Sequence, residues 1–251
     1  MSRIPLKSLE ELEIMRQGGR ILASVFKAVE GFIKIGMSSF VMDQFIQKTI
    51  LEFDAKPSFL GYKGYKYSSC ISVNEEVVHG LPSDTKFFLA GDICSIDIGV
   101  YYKGFHVDAA RTFKMGVVDE GVDKLVRVTE EAFFKAIEYA IPGNRLGDIS
   151  YALQSHVEAN GFSVVRNLYS HGVGRDLHEE PLIPNFGKRG QGPLLKEGMT
   201  FAIEPMVNQG RFDVLTLPDK WTIIAADRKW SAHYENTIYI GTHGPEILTL
   251  P

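Results

Sequence analysis

Asp97 and Asp108 lie within one segment, Ser95 to Phe113, that reads as two strand-like runs flanking Lys103-Gly104. A Lys-Gly pair between such runs is a hairpin turn signal. With a two-residue loop, Tyr102 pairs with Phe105, Gly99 faces Asp108 and Asp97 faces Ala110. Directly opposite residues share a sheet face, as do residues two apart on one strand. The two aspartates are then diagonal neighbours on one face, about 7–8 Å apart between backbones. Carboxylates at that separation can reach inward to two cations about 3.5–4 Å apart. Without cations they would repel each other and suffer from burial. Gly99, between them, is expected to leave the space. Either aspartate alone reads as a solvated strand carboxylate; the pair is what points to metal.

Three further segments carry the same chemistry. His171 and His178 lie in a glycine-containing stretch, Ser170 to Pro181. Histidine is the commonest metal ligand and also an acid or base near neutral pH. The other reading of this pair is one structural and one exposed histidine. Glu204 ends an apolar strand-like run, before Pro205, and Glu235 opens another. A carboxylate at the end of a buried strand needs a partner. Taken singly, each glutamate reads as a rim charge.

The elements that must position these residues are legible in part. Ser8 and Glu11 form a capping-box pattern. Met15, Leu22, Val25, Phe26 and Val29 follow at helical spacing until Gly36 breaks it. A second helix is expected from about Ser39 to Phe53, followed by a Gly/Tyr loop from Ser58 to Tyr67. Strands and turns run from Ile71 to Phe113. A third helix is expected over about Val122 to Ala140, stopped by Pro142 and Gly143, and a fourth over about Asp148 to Asn160, ended by Gly161. The remainder reads as strands and loops.

The order helix, helix, strands occurs twice. At an offset of 107 residues Phe26 falls on Phe133, Gly36 on Gly143, Ile46 on Leu153, Gln47 on Gln154 and Ile50 on Val157. Without a gap, Gly91 then falls on Gly198, Ile96 on Ile203 and Asp97 on Glu204. Chance is the competing explanation, but glycines and carboxylates coincide as well as apolar positions. A duplicated chain brings two similar sheets together, with Asp97 and Glu204 in equivalent places of one shared site. The expectation is a single α+β domain over residues 1–251, its two pseudo-symmetric halves built around one curved antiparallel sheet.

Composition sets outer limits. Hydrophobic residues make up 45% and charged residues 23% of 251, which suits a globular core. The net charge of −4 lacks the basic footprint of a nucleic-acid binder, and the nearest approach, Lys188-Arg189, reads as a solvated loop. Cys70 and Cys94 cannot make a disulfide framework or a four-cysteine zinc site. The first residues lack the apolar run of a signal peptide, and no stretch is apolar enough to span a membrane. The reduced cytoplasm is the expected compartment.

Taken together, the four segments resemble the type I methionine aminopeptidases, enzymes of the pita-bread fold, and the resemblance covers nearly the whole chain. In that family five ligands come in the order Asp, Asp, His, Glu, Glu, matched here by Asp97, Asp108, His171, Glu204 and Glu235. Segment Ser72 to Pro82 resembles the stretch carrying a further histidine, His79. The resemblance implies two divalent ions, of cobalt, manganese, iron or zinc, a set that suits four carboxylates and one imidazole. It implies that Asp108 and Glu235 bridge the metals, that Asp97 holds one, and that His171 and Glu204 hold the other. A metal-bridging water or hydroxide would attack the first peptide bond. Catalytic roles then fall to Glu204 for the proton, His178 for the oxyanion and His79 for the scissile peptide. Phe59, Tyr62, Tyr65, Cys70, Leu177 and Trp221 match pocket-lining positions; ordinary packing is the other reading for each.

The implied substrates are N-termini of nascent polypeptides, with methionine first and a small second residue (Gly, Ala, Ser, Thr, Cys, Pro or Val). A monomer in transient contact with the ribosome is the matching expectation. Four positions depart from the family's usual pattern: Ser170 and Val107 replace glycines, Leu177 stands where an aromatic residue is common, and Phe59 where a smaller one is usual. None removes a ligand. The last two alter the shape of the pocket. Prolidases share the motifs but carry an additional N-terminal domain, for which a first helix near residue 9 leaves no room. Type II enzymes insert helices between the last two glutamates, which here are only 31 apart. A metal-free binding module of the same fold would have lost ligands, and all five persist.

Overall fold

The computed structural model describes residues 4–250. Four helices appear: α1 (Leu9–Phe32), α2 (Ser39–Leu51), α3 (Glu120–Ile137) and α4 (Leu146–Ala159). The expected capping box closes α1: the Glu11 amide donates to Ser8 Oγ at 3.2 Å, and the Ser8 amide donates to Glu11 Oε2 at 2.9 Å. The other boundaries shift by local chemistry. Helix α2 stops two residues short of Phe53, where the chain enters the left-handed region at Asp54 (φ 54). Helix α3 opens earlier because Asp119 caps it, accepting from the Gly121 amide. In α4 Asp148 is the third residue, its carboxylate accepting from the Arg145 amide at 2.8 Å, so the helix begins before it.

The main sheet contains β1 (Lys56–Pro57), β2 (Ser69–Val73), β3 (Ile93–Tyr102), β4 (Phe105–Lys114), β5 (Tyr169–Gly172), β6 (Glu179–Pro184), β7 (Thr200–Ile203), β8 (Glu235–Gly241) and β9 (Gly244–Ile247). Its order is β1-β3-β4-β8-β7-β5-β6, with β2 also on β3 and β9 on β8, and every pairing is antiparallel. The β3–β4 hairpin has the expected register, Gly99 opposite Asp108 and Asp97 opposite Ala110. Its turn residues Lys103 and Gly104 both have positive φ (46° and 94°), the conformation that matches strand twist.

The duplication is visible in detail. Two isolated bridges, Ser38 with Phe87 and Arg145 with Leu194, are related by the same 107-residue offset at both ends. So are Gly36 and Gly143 (φ 84° and 94°) and Gly91 and Gly198 (φ 93° and 94°), each at a turn. The halves meet at a short join of two pairs, Glu235 with Ala110 and Asn236 with Ala109.

All four helices cover one face of the sheet. Under α1 and α2, Leu22, Val25, Met42 and Ile46 pack with Ile96, Ile98 and Val107; under α3 and α4, Leu125, Phe133, Ile149 and Leu153 pack with Phe201, Ile203 and Ile238. Strand alternation therefore turns Asp97 and Asp108 to the opposite face. Cys70 and Cys94 are both buried free thiols. Among the described residues no helix is long and apolar enough to cross a membrane.

Two adjacent glycines of α1 differ sharply in surroundings. A Cβ on Gly19 would stand 1.8 Å from the backbone oxygen of Leu248, whereas one on Gly18 would touch Val107 Cγ2 at 3.4 Å. Gly19→Ala must displace backbone and is expected to destabilise the protein by at least about 3 kcal/mol. Gly18→Ala is expected to be neutral or to stabilise by up to about 1 kcal/mol, from helix propensity. Thermal melts of the two variants check the contrast.

Candidate metal centre

The five expected ligands are carried by five adjoining strands. Asp97 sits on β3, Asp108 on β4 and His171 on β5; Glu235 is the first residue of β8, and Glu204 follows β7. Single ligand atoms of Asp108, His171 and Glu235 lie within 4.8 Å of one another. His171 Nε2 is 3.5 Å from Glu204 Oε1. Asp108, His171 and Glu235 are each no more than 4% exposed.

Burial of so many carboxyls in one place perturbs all of them. Asp97 is pushed well above the usual carboxylate range by burial, then by the charges of Asp108 and Glu204. Asp108 is raised to about 7, chiefly by burial. Glu204 and Glu235 move the same way, by burial first and by the charge of Asp108 next. Asp97 Oδ1, Asp108 Oδ1 and Glu235 Oε1 are buried without a hydrogen-bond partner. Buried polar atoms ordinarily have one. Arg111 gives these oxygens no hydrogen bond: its guanidinium donates to the Ala110 and Glu235 carbonyls and to Asn236 Oδ1. Partnerless anionic oxygens converging with an imidazole fit divalent cations as the missing partners.

The imidazole is set for that role. His171 Nδ1 contacts the Gly172 carbonyl at 2.8 Å, and since a carbonyl only accepts, Nδ1 carries the proton and Nε2 keeps its lone pair. Burial lowers the His171 pKa to about 4, so the ring is neutral at pH 7.

The backbone beneath the acids is clasped by side chains. Thr237 Oγ1 accepts from the Asp108 amide at 2.8 Å and donates to the Asp108 carbonyl at 2.9 Å, replacing the ladder where β4 and β8 diverge. The Thr237 amide in turn donates to Thr249 Oγ1. Ser170 Oγ accepts from the Glu204 amide at 2.9 Å, and Asn185 Nδ2 donates to the Glu204 carbonyl at 3.0 Å. Serine at 170 thus ties down the Glu204 backbone. Val107 faces the helices, against Gly18, and lies away from the acids.

A cavity of about 280 Å³ opens over the cluster. Phe59, Tyr65, Cys70 and Leu177 form one buried apolar group, with Tyr62 and Trp221 packed against it. Tyr65 and Trp221 meet edge to face at 4.9 Å. His79 and His178 line the same cavity; His178 is exposed, stacks on Tyr62 at 5.2 Å and lies 4.2 Å from the His171 ring. All the residues singled out in the sequence are therefore brought together. One detail is corrected. The room left by Gly99 is taken by Ser58 and Phe59, whose atoms lie 2.7 and 2.8 Å from where a Cβ would be, so this glycine serves the pocket wall.

His233 was missed. It is 2% exposed, and its Nε2 lies 3.7 Å from Glu204 Oε2 and 3.8 Å from Glu235 Oε2. Ligand atoms of Glu204, His233 and Glu235 form a second group within 4.8 Å. The signal was present: His233 stands two residues before Glu235 in an extended run, hence on its face. The outer rim, including Leu168, Tyr169, Leu182 and Met206, also went unread.

The model for metallopeptidase family M24 matches residues 13–242. The chain belongs to that family. A methionine aminopeptidase of Clostridium perfringens is 51% identical over 98% of this chain and 99% of its own length. Methionine aminopeptidase 1 of Bacillus subtilis is 48% identical over 97% and 98%. The crystal structure of a methionine aminopeptidase from Thermotoga maritima superposes with a TM-score of 0.98 at 45% identity, covering 99% of this chain and 100% of that one. The prolidase of Pyrococcus furiosus, at 24% identity and a TM-score of 0.80, shares the fold. The chain is thus a pita-bread metallopeptidase of the methionine aminopeptidase group, and divalent-metal dependence comes with that membership.

The clasp on Asp108 is open to test. Thr237→Val keeps the shape of the side chain and leaves the Asp108 amide and carbonyl without their partner, at about 1–3 kcal/mol for a buried group. Metal affinity, read by calorimetry, is expected to fall about 10-fold or more, the scale for partners that orient a ligand.

Proposed function

We propose that the chain removes the initiator methionine from nascent polypeptides whose second residue is small, with two divalent ions of cobalt, manganese, iron or zinc. The observation that carries this reading is the adjacency of an apolar, aromatic-walled pocket to the acid cluster in one cavity. At about 280 Å³ that cavity is below the roughly 300–1,000 Å³ of drug-sized sites, which suits the end of a chain better than its middle. An unbranched thioether fits such a wall, since sulfur–aromatic contacts favour it.

Asp97, Asp108, His171, Glu204 and Glu235 would hold the ions, as the family resemblance implies. Bound there, divalent ions would supply Lewis acidity and a nucleophilic water near neutral pH. Glu204 would take the proton of the attacking water and return it to the leaving amine. His178, at the mouth, donates to the carbonyl oxygen as charge develops there, and His79 contacts the scissile peptide. Tyr62, Tyr65, Trp221, Phe59, Cys70 and Leu177 seat the methionine and exclude water. Phe59 narrows the slot beside Gly99 while Leu177 leaves room across it. One chain supplies every part, which supports a monomer; the cytoplasm, with transient ribosome contact, is where its substrates emerge.

Dialysis against chelator is expected to abolish hydrolysis of Met-Ala-Ser, and manganese, cobalt or iron to restore it. The restored protein should cleave Met-Ala far faster than Met-Leu, and Ala-Pro not at all. Full activity in protein free of metal would sink the metal reading, and preference for Ala-Pro would move the chain to the proline-specific branch. Glu204→Gln keeps shape and removes basicity; kcat is expected to fall at least about 100-fold with metal still bound. Near-normal kcat in that variant, with metal content measured, would take the proton role from Glu204.

A further inference from the structure

The site's face of the sheet continues past His171. Leu182, on the edge strand β6, stands directly opposite His171 in the β5–β6 ladder, and Tyr169 lies two residues along β5 on the same face. Pro181 and Ile183, the neighbours of Leu182, are buried on the other side, Ile183 in the core under α3 and α4. Leu182 is 59% exposed and Tyr169 41% exposed, yet both line the cavity that holds the acids. Outward positions of an edge strand ordinarily carry polar or charged side chains. An apolar pair there, contiguous with the site, forms a ledge.

The ledge and the methionine pocket lie at opposite ends of the ligand row. Cys70 of the pocket is paired with Asp97 on β3, while Leu182 is paired with His171 on β5. A peptide with its first side chain in the pocket and its first carbonyl over the row has the ledge ahead of it along the same cavity. An extended chain rises about 3.3 Å per residue and returns its side chains to one side every second residue. The third residue therefore stands about 7 Å downstream, with its side chain on the same side as the first.

On the aminopeptidase reading, we propose that Leu182 and Tyr169 form a subsite for an apolar third residue, so that substrates equal in their first two residues are ranked by the hydrophobicity of the third. The occupant is the substrate's own chain, because the ledge is continuous with the cavity that takes its first residue.

The test compares kcat/KM for Met-Ala-Leu-Ser, Met-Ala-Gly-Ser and Met-Ala-Asp-Ser with the manganese-loaded protein. Leucine is expected to exceed glycine by about five- to tenfold, mostly in KM, the scale for partly burying one leucine side chain, with aspartate lowest. In Leu182→Asn and Tyr169→Ser the leucine-to-glycine ratio should fall toward one, and thermal melts should confirm that these exposed substitutions leave the fold intact. Calorimetry of the same peptides on Glu204→Gln reads the ratio as affinity, independently of turnover. Hydrolysis of none of the three would refute the aminopeptidase reading, and the affinity ratio would still decide the ledge. A ratio near one in the parent protein, or one unchanged in both variants, overturns the proposal.

Discussion

Four carboxylates crowded side by side at one sheet face, Asp108 and Glu235 buried and Asp97 and Glu204 half-buried, are the condition around which this molecule is organised. Their charges repel, and burial raises every one of them above the usual carboxylate range. Such a cluster is costly until cations are bound, so its geometry must be held by other means. The helices supply the bulk of that support through the apolar face of the same strands, where Ile96, Ile98, Ile203 and Ile238 are fully buried. Side-chain clasps supply the rest. Thr237 grips Asp108, Ser170 and Asn185 grip Glu204, and Arg111 grips Glu235 through its carbonyl. These bonds all go to backbone, which leaves the carboxylate oxygens free for metal.

Duplication explains how such a site can be assembled economically. Each half is a helix pair packed on antiparallel strands, and each places an acid at the same point of its repeat, Asp97 in one and Glu204 in the other. In the main sheet the halves are joined by two residue pairs, at Ala109 and Ala110. Small side chains there let the central strands approach, and the short join lets them splay immediately beyond, where Thr237 fills the gap. Asp108 and Glu235, one from each central strand, are consequently the two acids nearest the middle of the site. That central position would suit the bridging role which the family resemblance implies for them.

Much of this was legible in the sequence because it depends on local rules. The Lys103-Gly104 turn fixes a register, and the register fixes which face Asp97 and Asp108 share. The repeat offset carried over to a pair of isolated bridges that no motif announces. Contacts between distant segments were not legible in the same way. The space beside Gly99 belongs to Phe59, forty residues earlier, and no local rule ties the two. The Thr237 clasp needs the β4–β8 join, a pairing of segments more than a hundred residues apart. His233 is the instructive omission, because strand alternation alone places it beside Glu235. Its ring nitrogen has no hydrogen-bond partner and faces Glu204 and Glu235 at 3.7 and 3.8 Å, a convergence that only the folded chain makes plain.

The two halves have diverged where substrate must be distinguished. In the first half the chain between α2 and β2 is spent on Phe59, Tyr62 and Tyr65, which build the closed apolar wall beside Asp97. In the second half the corresponding edge carries β5, β6 and the turn between them, which bring His171, Leu177 and His178 and leave Leu182 and Tyr169 in the open. The turn reaches back far enough for Leu177 to join the wall and for His178 to stack on Tyr62. The acids can therefore remain nearly symmetric while the ends of their row differ, one closed and aromatic, the other open and continuous with the sheet edge. A site with one closed end and one open end accommodates the terminus of a chain better than its middle, an asymmetry that a pseudo-symmetric row of acids could not supply by itself and that is in keeping with an exopeptidase.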